Sequence, residues 1–357
     1  MKRRSTVRLT DKRLSAAFSL VEIMVAVAVL VILTVFVAQL TNSATAITRV
    51  GTKHIDADTQ ARAVLDRIGL DIAQMLKRTD IDYYIKQPTG YNGHGNGHGY
   101  GHKLDTGQQG SDQLAVFSVM PGYYASYANP VSQGSPVWLV AYRINADSSQ
   151  PSYLMLERMA KGLWWNGADT GGLNSANTNL PILFLPQTIA AMDKQWYAAV
   201  NNDGTPKSRD PAYEIVGPQV FRFEYWYLLK NGNLTDVPWD TDARPTQTTI
   251  DTPSGIGLTD VQAIGVAIAV IDPTSRSLVS STNATGLFDL ASDLDDFKTA
   301  PGRGVGGAKK AGDIEYRWNT VLETVAQTGQ TSAPSKFPPP AASAIRVYCR
   351  YYDLRTQ

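Results

Sequence analysis

Phe18-Ser19-Leu20-Val21-Glu22-Ile23-Met24-Val25 opens an apolar run that continues through Val37 and Ala38 with Glu22 as its only charge. The twenty-one residues from Phe18 to Ala38, at about 1.5 Å of rise each, make a helix of about 32 Å, enough to cross a hydrocarbon core of about 30 Å. This run reads as a membrane segment. A carboxylate inside it costs on the order of 2.5–3.5 kcal/mol, so Glu22 requires a partner.

The flank indicates where a partner comes from. Residues 1–17 carry Lys2, Arg3, Arg4, Arg8, Lys12 and Arg13 against Asp11 alone, a net of +5 that holds this end in the cytoplasm. A cut between Ala17 and Phe18 would remove that basic stretch and leave a positive amine on Phe18, one helical turn from Glu22.

The arrangement Phe18-Ser19-Leu20-Val21-Glu22-Ile23 resembles the class III signal of type IV pilins and of the minor pseudopilins of type II secretion. In that family a prepilin peptidase cleaves before a Phe, N-methylates it and leaves a Glu at the fifth mature position. The resemblance makes Ala17 and Phe18 the processing site. It makes Phe18 and Glu22 the assembly pair, in which Glu22 neutralises the amine of a neighbouring subunit. The family usually has Gly before the cut, and here Ala17 stands there.

Two plainer readings exist. An uncleaved anchor accounts for the basic flank and the apolar run, but gives no reason for Glu22 beside Phe-Ser-Leu-Val. A secretory signal cut after Ala44-Thr45-Ala46 has the small-x-small form, yet its apolar core should be about 7–15 residues without an acid.

At 357 residues the chain is longer than one typical domain, and its 29 Gly and 19 Pro point to long connections that absorb part of the excess. Removing the leader's +5 from the chain's +1 leaves about −4, against the basic balance of a nucleic-acid binder. Cys349 is the only cysteine, which excludes an intramolecular disulfide and a Cys-based zinc site. Four histidines offer little material for acid–base catalysis.

Past Ala38 the helical rhythm persists while the sequence turns polar. Ile47, Val50, Ala57, Ala61, Val64, Leu65, Ile68, Ile72, Met75 and Leu76 form one stripe, with Arg62, Asp66, Arg67 and Asp71 on other faces. One helix from Phe18 to about residue 80, spanning first (18–38) and amphipathic afterwards, follows, with Gly51 as a place for a bend. Residues 81–111 are a Gly/His-rich loop with no apolar face to bury. In it His94, His98 and His102 recur every four residues. Three imidazoles on a tether suit zinc, nickel or copper, and a plain linker accounts for them equally.

Residues 112–357 read as a β-rich globular domain. Strands are expected at Leu114–Met120, at Val137–Ile144 with Tyr153–Met159 as its hairpin partner, and at Val220–Leu228 followed by the turn Lys230-Asn231-Gly232. Val261–Ile271 has one bulky face and one small one, and Ile345–Tyr352 closes the series. Phe221, Phe223, Tyr225 and Tyr227 share a strand face, as core or as a ligand platform. Short helices are expected around Leu287–Phe297 and Glu315–Val325. The fold class is α+β: a long N-terminal helix packed on an antiparallel sheet, as in pilins. Val137–Asn145, Tyr153–Gly162 and Arg346–Tyr352 also resemble the Verru_Chthon cassette proteins, a pilin-like family.

Other chemistry has little support. Asp289, Asp293, Asp295 and Asp296 offer oxygens of the kind calcium prefers, without the Gly turn and terminal Glu of an EF-hand. Gly302-Arg303-Gly304-Val305-Gly306-Gly307 has a dinucleotide-loop spacing, but no strand precedes it. Cys349 falls on an inward strand face and reads as an inert thiol. No nucleophile elbow, HExxH helix or P-loop occurs. No enzyme and no cofactor are expected beyond the calcium alternative.

The resemblance implies a single-pass protein of the bacterial inner membrane with a periplasmic C-terminal domain. Its partners are prepilin peptidase and other pilin or pseudopilin subunits, and it builds or primes a pilus or pseudopilus fibre. The competing reading is a membrane-anchored periplasmic binding module or enzyme.

Overall fold

The computed structural model describes residues 19–77, 111–119, 138–145, 147–162, 213–235, 258, 261–282, 285–294, 311–333 and 335–354. The Gly/His-rich loop expected at 81–111 lies outside them, apart from residue 111. Two units divide the chain, Met1–Thr52 and Lys53–Gln357. Helix α1, Leu20–Ala73, crosses the boundary, and its two parts are taken separately.

In the first unit, Leu20–Thr45 has a mean hydropathy of 3.0 and none of it is buried. It is long and apolar enough to cross a membrane. The side chains of Ile47 and Val50 lie outside the described residues.

In the second unit α1 buries Ala57, Ala61, Val64, Leu65, Ile68 and Ile72, a stripe at three- and four-residue steps that extends to Met75. The helix ends at Ala73, short of the expected residue 80. The reason is strand pairing: Met75 bridges Ser118, the Leu76 N–H donates to Phe117 O at 2.9 Å and the Val119 N–H donates to Gln74 O at 3.1 Å.

Among the described residues eight strands follow in two antiparallel sheets, where one sheet was expected. The first is ordered β1 (Leu114–Ser118), β2 (Trp138–Ile144), β3 (Leu156–Gly162), β4 (Tyr213–Gly217). β2 and β3 form the expected hairpin, and β4 is an addition. The second sheet is ordered β6 (Leu234–Thr235), β5 (Val220–Leu229), β7 (Val261–Val270), β8 (Arg346–Asp353). Gly232, at φ +88°, makes the turn between β5 and β6. β5 packs on β2 and β3, where the Tyr142 and Phe223 rings stack at 6.4 Å. Just before β1, the Asp112 N–H donates to Phe223 O at 3.0 Å and its carboxylate accepts the Tyr225 N–H at 2.9 Å.

Among the described residues four helices lie between the strands: α2 (Pro273–Thr282), α3 (Gly286–Asp293), α4 (Asp313–Thr328) and α5 (Pro339–Ala344). α2 starts at an Asp-Pro pair. Asp272 Oδ1 accepts the N–H groups of Thr274 and Ser275, each at 3.1 Å, and Pro273 takes the first helical position.

The helices explain the small face of β7. Ala263, Gly265, Ala267 and Ala269 pair across the ladder with Leu228, Trp226, Glu224 and Arg222 of β5, so the room left by small residues is filled by large neighbours on the same face. Arg222 and Glu224 are fully buried there, 3.3 Å apart. The Arg222 guanidinium donates to Leu294 O at the end of α3 and lies 5.2 Å from the Trp318 ring centre of α4.

A Cβ on Gly265 would lie 2.4 Å from Trp226 Cε2. Gly265→Val should therefore destabilise the folded chain by about 1–3 kcal/mol through overpacking, read from the urea midpoint of the detergent-solubilised protein. An unchanged midpoint would show that the indole relaxes freely.

Candidate assembly site

The start of α1 is built by Ser19 and Glu22. The first N–H groups of a helix have no partner within it. Here the Ser19 hydroxyl accepts the Glu22 N–H at 3.2 Å. Glu22 Oε2 in return accepts the Ser19 N–H at 3.0 Å and the Ser19 hydroxyl at 3.2 Å. This is a reciprocal capping box, and it places the carboxylate where the helix dipole favours negative charge. Both contacts fall on Oε2. The signal was readable, since Ser-x-x-Glu precedes the apolar run, but attention to an outside amine passes over it.

Beyond the cap three threonines satisfy their hydroxyls within the helix. The hydroxyls of Thr34, Thr41 and Thr45 donate to the carbonyls of Leu30, Val37 and Thr41, each at 2.8 Å, a solution compatible with an apolar surrounding. Ala17 and Phe18 lie outside the described residues.

No protein-family model and no curated protein matches this chain. The resemblance to pilins is one of sequence, concentrated in residues 14–40.

The remaining candidates separate. His94, His98 and His102, Asp295 and Asp296, and the glycine-rich stretch 302–307 lie outside the described residues. Asp289 and Asp293, one turn apart on α3, serve as fasteners. The Asp293 carboxylate accepts the Ser332 N–H at 2.8 Å, and the Asp289 carboxylate accepts the Ser335 hydroxyl. Among the described residues no three His, Cys, Asp or Glu side chains gather as metal ligands. Phe221, Phe223, Tyr225 and Tyr227 are all in the core, which removes the ligand platform.

A polar centre that the sequence reading did not foresee lies in the second unit. Asp71, Arg158 and Tyr142 are buried together. Arg158 grips the carboxylate with a two-pronged pair, Nε to Oδ2 at 2.6 Å and Nη2 to Oδ1 at 2.9 Å, and the Tyr142 hydroxyl donates to Oδ2. Burial, reinforced by the Asp71 charge, raises the Tyr142 hydroxyl well above its ordinary range, so it remains a donor. Asp71 had been read as belonging to an outward face, because charge on an amphipathic helix usually is.

Cys349 is half-buried rather than enclosed. Burial, with the Glu315 charge adding to it, pushes the thiol up to about 12, so it stays protonated at neutral pH. Iodoacetamide at pH 8 should alkylate Cys349 at least about a hundredfold more slowly in the folded chain than in urea, followed by mass spectrometry. Equal rates would contradict the inert reading.

Proposed function

We propose that this chain is a non-enzymatic, pilin-like structural subunit of the minor pseudopilin type. It is anchored by Leu20–Thr45, processed by prepilin peptidase between Ala17 and Phe18, and joined to other subunits through Glu22 and the Phe18 amine. The observation that carries this reading is an acid in the first turn of a fully exposed, membrane-length helix. Its own cap engages Oε2 and leaves Oε1 to meet a cation from outside. An aqueous helix start would need the cap alone. In an apolar medium a carboxylate also needs its charge cancelled, and a freshly cut amine on an adjoining copy supplies that.

The rest of the described chain suits a scaffold. Among its buried charged side chains, Asp71 and Arg158 join α1 to β3, and Arg222 joins β5 to the end of α3. In this reading the region after the anchor is the periplasmic body of a fibre subunit.

The test is the mature N-terminus, read by mass spectrometry from cells that possess the peptidase. N-methylated Phe18 is the expected result, whereas an intact Met1 or a start at Ile47 would sink the proposal. Glu22→Val should insert at least as well, being relieved of about 2.5–3.5 kcal/mol, yet fail to enter a fibre in cross-linking of membranes. Normal incorporation would refute the charge pairing.

A further inference from the structure

We infer that the buried Asp71–Arg158–Tyr142 cluster, with the notch at Gly69, is a register lock that stops α1 from sliding one turn along the body of the second unit. This concerns residues 53–354 alone and stands whatever the membrane segment does.

The apolar stripe opposes a slide mainly through side-chain size. Sliding the helix so that each residue is replaced by the one four positions later puts Ala61, Leu65, Ile68, Gly69, Ile72 and Leu76 where Ala57, Ala61, Val64, Leu65, Ile68 and Ile72 are buried. Each of these six replacements is apolar, two of them with a marked change in size, while Thr79 would come to the buried Met75 position. A slide the other way is barred by the pattern itself, since Lys53 and Gln60 would replace Ala57 and Val64, and Arg67 would come to face Arg158.

What else opposes the permitted slide is polar and local. Met75 would take the place of Asp71, so the fully buried Arg158 would lose the carboxylate that receives Nε and Nη2 and keep the Glu214 carboxylate, 3.4 Å from Nη1. Such directional pairs specify one arrangement where apolar contacts tolerate several. Ala73 would replace Gly69, where a Cβ comes within 2.8 Å of Tyr352 Cε1. Toward β8, Asp58 meets the Tyr348 hydroxyl and Asp66 meets Arg350. The slide would put Arg62 and Leu70 in their places. One-turn ratchets of about 5.4 Å are a known mode of element movement, and here the sequence blocks one with a few side chains.

The test uses the full chain in detergent, in a Cys349→Ser background, with nitroxide labels at the exposed positions Ala63 on α1 and Thr324 on α4. The parent should give one narrow label-to-label distance. Asp71→Leu/Tyr142→Phe/Arg158→Met removes the cluster while keeping its volume apolar, and adding Ala73→Gly opens the notch to the slid helix. The expected result is a second distance population in the triple variant, displaced by up to about one turn, 5 Å, that grows when Ala73→Gly is added. The pairing of Gln74–Leu76 with β1 is intact in every variant, so a single parental distance in both would assign the register to that pairing and overturn the inference. Loss of folded protein in the triple variant, with Tyr142→Phe alone still folded, would assign the cluster to stability rather than register and overturn it equally.

Discussion

A carboxylate with no exposed surface, held between a guanidinium and a phenol, joins the helical and sheet parts of the second unit. Asp71 belongs to α1, Tyr142 to β2 and Arg158 to β3, so one charge ties three elements that the chain visits far apart. The apolar stripe on α1 supplies most of the driving force, because burial of that kind scales with area and is indifferent to direction. The charge pair adds little net stability, since desolvation consumes much of the Coulombic gain. It determines which arrangement the burial stabilises.

The chain contains a second acid on the same helix with a different solution. Glu22, at the start of α1, has no fixed cation among the described residues, and its own cap engages one oxygen. Asp71 finds its cation within the chain. One helix thus carries a closed electrostatic site in the body and an open one at its start.

Much of this architecture is legible in the sequence wherever local signals and burial agree. The apolar run, the helical stripe from Ala57 to Met75, the β2–β3 hairpin and the strands β5, β7 and β8 follow from periodicity and turn residues. The misses have physical causes. β4 is short, and the Asp272-Pro273 cap that announces α2 opens a helix with few apolar residues, Leu278 and Val279. The division into two sheets depends on long-range pairing, which periodicity does not encode. Arg222, Glu224 and Asp71 look like surface charges in any local window and are buried because distant residues receive them. At the helix start the Ser19–Glu22 cap is visible as a Ser-x-x-Glu motif.

The account turns on whether Asp71 and Arg158 act as a unit, and a double-mutant cycle with Asp71→Ala and Arg158→Ala in urea unfolding measures that directly. Each single variant should lose about 3 kcal/mol, the low end for breaking a buried pair, because Glu214 stays 3.4 Å from Arg158 and Arg67 stays 3.9 Å from Asp71. The double variant should lose less than the two losses combined, a coupling of about 2 kcal/mol or more. Losses that simply add would show that the two groups are buried side by side without depending on each other, and the account would fall.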